Sequence, residues 1–287
     1  LPEAYLKKKE ELNIKGFQEI YNENPRSFIS TGKSTIDVDL LKILTSDLRE
    51  NGIKIYSIVH GGNNNEIKYN STYYLESKLT DKVLSARDTR SKEGICRYRS
   101  SNNFISKGIL IYLDFISYEN YLMMGSITKE DHPKYLDDIL KALFLTTEKV
   151  KKKLIIMSYN DLNFINLGEF QLHIKKNQIY AMNSIKKKIY RKIFKPKLQI
   201  STYTGSVMVE SVYSNTPCIL FINPDFYYLS EEMKAILPLL KESKVLHTSP
   251  QSLADFLNQN INYEDWWKKA KTIEAINAYM NVMKTCF

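Results

Sequence analysis

Short apolar blocks alternate along the chain with stretches in which apolar residues recur every three or four positions, which reads as strand, helix, strand. Arg26-Ser-Phe-Ile-Ser-Thr31 predicts a strand. Residues 36–49 then carry Ile36, Val38, Leu40, Leu41, Ile43, Leu44 and Leu48 at an approximate helical spacing, and Asn51-Gly52 stands where a helix C-cap belongs. A strand over residues 53–59 completes a βαβ unit that ends in His60-Gly61-Gly62-Asn63-Asn64-Asn65-Glu66. Residues 3–21 predict a charged helix ahead of it; within 67–99, residues 81–87 hold a short strand-like piece, followed by a polar loop poor in periodicity.

The same alternation continues with strands at residues 108–113 and 153–158, a helix over 133–150, and a helical or mixed stretch through Arg191. Residues 198–221 read as strand, small polar turn, helix, and a second strand opened by Thr216-Pro217. A helix over 230–242, a short strand over 245–247, a helix from Ser249 and a terminal helix follow; Trp266-Trp267, ahead of the last helix, predict a packing anchor. Such an order belongs to a doubly wound parallel sheet, so the expected fold is α/β, with parallel sheets and flanking helices. A length of 287 residues allows two domains, and the boundary is expected near Ser106, giving 1–105 and 106–287. The chain opens on Leu1 rather than Met, which implies an N-terminal domain that is incomplete here.

Composition narrows the class. Hydrophobic residues at 43% and charged residues at 25% describe a folded globular chain. No apolar run is long enough to span a bilayer and there is no signal-peptide core, so a cytoplasmic location is expected. Cys96, Cys218 and Cys286 are scattered without metal-ligand spacing, which fits a reducing compartment and makes Cys218 a strand-core residue. The net charge of +9 concentrates in Lys149-Val-Lys-Lys-Lys153 and in the run from Lys186 to Lys197, each just before an apolar strand. Solvated helix ends account for such runs; attraction to an anionic membrane surface or a phosphorylated substrate is the alternative, with a peripheral position on the inner face of the cytoplasmic membrane. Zinc-knuckle spacings and RNA-binding aromatic motifs are absent, so no specific nucleic-acid partner is expected.

Candidate chemistry sits in two loops. Ser201, Thr202, Thr204, Gly205 and Ser206 place hydroxyls and backbone N–H groups at a helix N-terminus, where an anion binds readily, and Glu210 lies about one turn further on, within reach of sugar hydroxyls. Gly61 and Gly62 let backbone approach a substrate beside His60, beyond the carboxyl end of a predicted strand. Read blandly, the first is a Ser/Thr-capped helix and the second a turn.

Taken together these motifs resemble a family of bacterial transferases of lipopolysaccharide and surface-polysaccharide biosynthesis with a GT-B-like glycosyltransferase organisation. Ile58-Val-His-Gly-Gly62 with Glu66 is similar to that family's Gln-His-Gly-Gly segment, and Ile200-Ser-Thr-Tyr-Thr-Gly-Ser206 with Glu210, Asn215-Thr-Pro217 and Phe221-Ile-Asn-Pro224 to its Ser-Thr-Tyr turn, helix glutamate and Asn-Pro segment. Leu246-His-Thr-Ser-Pro-Gln-Ser252 and the Trp pair also fit. Three departures stand out: Met157-Ser-Tyr-Asn160 where an Arg and a Tyr-Pro are usual, Asn63-Asn64-Asn65 after the glycines, and Ser85-Ala-Arg87 where an aromatic Trp-Gly-Trp is expected. They imply loss of a phosphate-contacting Arg and an altered activity.

The resemblance implies two Rossmann-like domains, with an acceptor-side domain first and a nucleotide-sugar domain second. Sugar would pass from a nucleotide-sugar donor to a glycan or lipid-linked acceptor of the bacterial surface. Ser201, Thr202, Tyr203, Thr204, Gly205, Ser206, Glu210 and Asn223 would hold the donor, and His60 or Glu66 would act as base across the cleft. No metal or other cofactor is implied, since helix-end N–H groups and Lys can balance leaving-group charge. The rival readings are a nucleotide-sugar epimerase of similar fold and a catalytically inactive nucleotide-sugar-binding or scaffold protein.

Overall fold

The computed structural model describes residues 26–31, 39–58, 66–68, 71–84, 108–113, 127, 130–158, 167–181, 196–259 and 261–283. Two parallel sheets share no strand. The first is built from β1 (Ser27–Thr31), α1 (Asp39–Glu50), β2 (Lys54–Ile58), α2 (Ser71–Leu79) and β3 (Lys82–Leu84), in strand order β1-β2-β3. Its C-cap forms as the sequence predicts. Gly52 adopts φ +76°, its N–H bonds to Arg49 O, and the Ile53 N–H bonds to Leu48 O at 3.0 Å, the paired pattern of a Schellman motif. Among the described residues its core gathers Leu44, Leu48 and Ile55, with Phe28 and Ile53 against them.

The second sheet is larger. Its elements in chain order are β4 (Ile109–Leu113), α3 (His132–Leu145), α4 (Glu148–Lys151), β5 (Leu154–Ser158), α5 (Leu167–Gln171), β6 (Ile179–Ala181) and β7 (Leu198–Ser201). Then come α6 (Ser206–Tyr213), β8 (Cys218–Phe221), α7 (Glu231–Glu242), β9 (Leu246–His247), α8 (Pro250–Asn258), α9 (Tyr263–Trp267) and α10 (Ala270–Val282). All neighbours are parallel and the strand order is β6-β5-β4-β7-β8-β9. The chain therefore builds outward from β4 in one direction and then, from β7, in the other, the winding of a Rossmann sheet. β8 is buried throughout, as a strand covered by helices on both faces must be. Cys218 lies fully buried within it, and burial pushes its thiol up to about 12, so it is a packing residue.

Helix caps set the entry of the later helices: Ser230 accepts from the Met233 N–H, Ser249 from Ser252 and Asn262 from Glu264. Trp266 donates from Nε1 to Ser243 O at 3.0 Å and meets the Phe256 ring edge-on, the anchoring role its position predicts.

Two expectations need correcting, and one element was not predicted. The helix over 133–150 is two helices, because Thr146 turns extended, its hydroxyl bonds back to Ala142 O, and the Asn258 side chain takes both the Thr147 N–H and Leu145 O. The mixed stretch before Arg191 contains an edge strand, β6, only three residues long. Residues 71–79, for which the sequence predicts no element, form α2, in which Glu76 is buried. The predicted helix over 3–21 and the boundary residue Ser106 lie outside the described residues.

Candidate functional site

The carboxyl ends of β4 and β7 lie side by side where the strand order reverses, and this is the place at which open α/β sheets form a crevice. The turn Thr202–Gly205 leaves β7 at that point. Its first hydroxyl is fixed from two sides: Thr202 Oγ1 donates to Tyr112 O at 2.7 Å and meets the Tyr135 hydroxyl at 2.5 Å. The Thr202 N–H also reaches Tyr112 O at 3.2 Å, and the Tyr227 hydroxyl donates to Thr202 O at 3.2 Å. Strands β4 and β7, helix α3 and the turn after β8 are thus tied to one residue.

The rest of the turn differs. Ser201 Oγ donates to Tyr203 O, closing the turn on itself. Thr204 Oγ1 is buried without a hydrogen-bond partner. Gly205, with no side chain to cap α6, stands in extended backbone (φ 161°, ψ −162°), so the first-turn N–H groups of α6 receive no side-chain cap. Glu210 lies exposed one turn into α6, and Asn223 is occupied by the chain's own backbone, accepting from the Asp225 N–H at 3.1 Å. Of the predicted donor residues, the structure therefore brings Ser201, Thr202, Tyr203, Thr204 and Gly205 to the switch point with Glu210 on the following helix. It gives Ser201, Thr202 and Asn223 internal partners.

His60, Gly61 and Gly62 lie outside the described residues. Glu66 is described and is fully buried: its carboxylate accepts a short hydrogen bond from the Tyr279 hydroxyl of α10. The segment 66–68 pairs with 228–230 through Ser230 N–H to Glu66 O at 2.8 Å and Lys68 N–H to Tyr228 O at 2.7 Å. Burial and the Glu66 charge hold the Tyr279 hydroxyl well above its usual pKa, so Tyr279 stays the donor.

Three titratable residues escaped the sequence reading. His132 opens α3 at the same carboxyl edge, stacked on Tyr135 at 5.8 Å, and burial lowers its pKa below the usual histidine value. His247 ends β9; burial drops it to about 4, its Nδ1 meets Ser252 Oγ at 2.8 Å, and its Nε2 is buried without a partner. In the small sheet, burial raises Glu76 to about 7, partly offset by the nearby Ser57 hydroxyl, although no hydrogen bond closes between them. A carboxylic acid near neutrality suits proton transfer. His132 carries a signal in the sequence, a His-Pro pair opening a helix after a buried strand. Glu76 carried none, because only the packing of α2 on β2 makes it a buried acid.

Among the described residues no group of three or more His, Cys, Asp or Glu side chains stands close enough to hold a metal ion. No helix there is long and apolar enough to cross a membrane.

Comparison with known proteins supplies the setting. The fold is similar to that of a Listeria monocytogenes protein assigned as a UDP-N-acetylglucosamine 2-epimerase, with TM-score 0.53 and 11% identity over 96% of this chain and 78% of that one. It is equally similar to MnaA of S. aureus in complex with UDP, with TM-score 0.52 and 13% identity over 98% and 78%. A looser likeness, TM-score 0.39 and 8% identity over 87% and 79%, links it to WaaG, a glycosyltransferase involved in lipopolysaccharide biosynthesis. Only the first two, with TM-scores above 0.5, speak, and at these identities they speak to fold alone: the parallel α/β architecture with flanking helices that the sequence predicts. No curated protein sequence matches the chain. Residues 1–284 match the profile of a transferase family across nearly the whole length, and the chain belongs to that family, the LIC12162 family transferases.

Proposed function

We propose that the protein transfers a sugar from a nucleotide-sugar donor to a bacterial surface-polysaccharide or lipopolysaccharide acceptor, without a metal or other cofactor. The observation that carries the reading is the turn at the strand-order switch. A buried, unpartnered Thr204 hydroxyl and the N-terminus of α6, preceded by a glycine, converge where a phosphate gains most from helix-end N–H groups. Donor phosphate binds there, with Tyr203 and Ser206 alongside, and Glu210 accepts hydrogen bonds from a sugar or ribose hydroxyl. Ser201 and Thr202 shape the turn through their internal bonds rather than by touching the donor. Asn223 sets the neighbouring turn after β8.

His60 serves as the general base on the acceptor, with Gly61 and Gly62 permitting close approach; Glu66, locked by Tyr279, anchors the far end of the same loop. The leaving phosphate is stabilised by fixed N–H dipoles that need no reorganisation during reaction. That one of the similar folds was determined with UDP favours uridine nucleotides as the first donors to try.

A thermal-shift series with uridine, cytidine, guanosine and thymidine diphosphates tests the donor site. One nucleotide is expected to raise the melting temperature of the parent chain and to leave Glu210→Ala unmoved. Equal shifts in parent and variant, or none with any nucleotide, would sink the assignment. The epimerase-like folds favour a second reading, interconversion of a UDP-linked amino sugar. Incubation with UDP-N-acetylglucosamine alone separates the two: an epimerase changes the sugar without an acceptor, and a transferase does not.

A further inference from the structure

In a parallel sheet every strand begins at the same edge, so residues that precede different strands meet there although they are far apart in sequence. Here they are lysines. Lys175 and Lys176 precede β6, Lys152 and Lys153 precede β5, Lys197 precedes β7 and Lys244 precedes β9, and all are exposed. Backbone bonds fix the register: the Ile109 N–H meets Lys153 O at 2.8 Å and the Lys197 N–H meets Gly108 O at 2.9 Å. The acids of this end are few. Glu148 is paired with Lys151 at 3.0 Å and Glu242 with Lys271, and Glu169 on α5 and Glu264 and Asp265 on α9 are outnumbered by the lysines.

Helix C-termini also end at this edge, and cations there are ordinary. What helix dipoles do not explain is the apolar group beside them. Phe144, at the end of α3, is 69% exposed, Leu145 is 38% exposed, and Leu172, just past α5, is 81% exposed. The Phe144 ring meets the ring of His173, the neighbour of Leu172 in the chain, edge-on at 6.1 Å. Large apolar side chains projecting from a cationic rim match a surface that is negative outside and hydrocarbon within. The central strands start level, Ile109 beside Leu154 and Leu198, while the edge strands β6 and β9 start deeper, at Ile156 and at Leu220, so the rim bulges at its centre rather than being cupped, and it fits an extended surface better than a peptide or a helix.

We propose that this amino-terminal edge of the six-stranded sheet docks on an anionic lipid bilayer. Phe144 and Leu172 enter the headgroup boundary, and Lys149, Lys152, Lys153, Lys175 and Lys176 hold the lipid charges. The inference stands independently of the donor reading. It also orients the molecule: the switch-point turn leaves the opposite end of the strands, about 15 Å further from the lipid for strands of this length.

Flotation of the full chain with phosphatidylcholine vesicles, with and without phosphatidylglycerol, tests the docking face, alongside F144S/L172S and K152Q/K153Q. These positions are exposed, so both variants should melt with the parent. The parent is expected to float only with the anionic vesicles and to be released by salt. K152Q/K153Q should bind about 25-fold more weakly, roughly fivefold per lysine, and F144S/L172S about tenfold more weakly. Flotation that ignores lipid charge, or that both variants retain, overturns the proposal. So does loss in K152Q/K153Q alone, which would mark a general polyanion surface. Absence of flotation together with a dimer that F144S/L172S dissolves would assign the face to a second copy of the chain.

Discussion

The two edges of the six-stranded sheet are made from the same chain and differ in almost every physical respect. At the carboxyl edge polar side chains are buried and either bonded inward or left without a partner: Ser201, Thr202, Thr204 and His247. At the amino edge lysines stand in water and outnumber the acids, and the surprising groups are apolar ones that stay exposed. The contrast teaches that one edge encloses its polar groups within the protein, and the other spreads them over an extended, charged surface. Substitution should therefore be felt as stability at the first edge and as association at the second.

Acid should expose the difference most strongly. His247 is neutral in the fold with a pKa of about 4, against 6.5 in the open chain. Between those values the unfolded chain binds the extra proton, so stability is intact above about pH 6.5 and falls as pH drops toward 4, by up to about 3 kcal/mol. Urea melts from pH 7 to 4 check this, and His247→Asn should flatten the slope in that window. Glu76 in the small sheet has the opposite sign: its acid form is favoured by the fold, so its contribution is complete below about pH 4.5 and is lost as pH rises through about 7. Glu76→Gln should remove that fall at neutral pH.

Next in size is Thr202→Val, which strips the hydroxyl from Tyr112 O and Tyr135 while keeping the shape. A loss of about 2 kcal/mol in a denaturant melt is expected, since two buried partners are left short of a bond. Glu210→Ala should change the ligand-free stability by less than about 0.5 kcal/mol, being exposed, while abolishing the nucleotide-induced shift. Smallest of all, K152Q/K153Q should leave the melting curve where it is; a loss like that of Thr202→Val would show that the amino edge is structural and erase the contrast.

Local physics made much of this legible in the sequence. Thr216-Pro217 ahead of Cys218, Asn51-Gly52 behind α1 and the Trp pair before α10 each behave as their chemistry dictates, because turns, caps and anchors depend on near neighbours in the chain. The turn after β7 was legible as a turn of small polar residues before a helix. Glu66 reads as a free acid in sequence, and its Tyr279 partner, 213 residues away, makes it a buried one.

What the sequence by itself determined is the alternation of strand and helix, the parallel α/β class, and the placing of hydroxyls at the start of one helix and lysines at the start of several strands. Only the tertiary structure decided that β4 and β7 are neighbours, that their carboxyl ends form the switch point, and that separate lysine runs join into one edge. Hydrophobic periodicity reports which face of an element is buried, and it is silent on which element lies next to it. That adjacency comes from the packing of the whole sheet, and here it gathers both the candidate donor site and the candidate docking face.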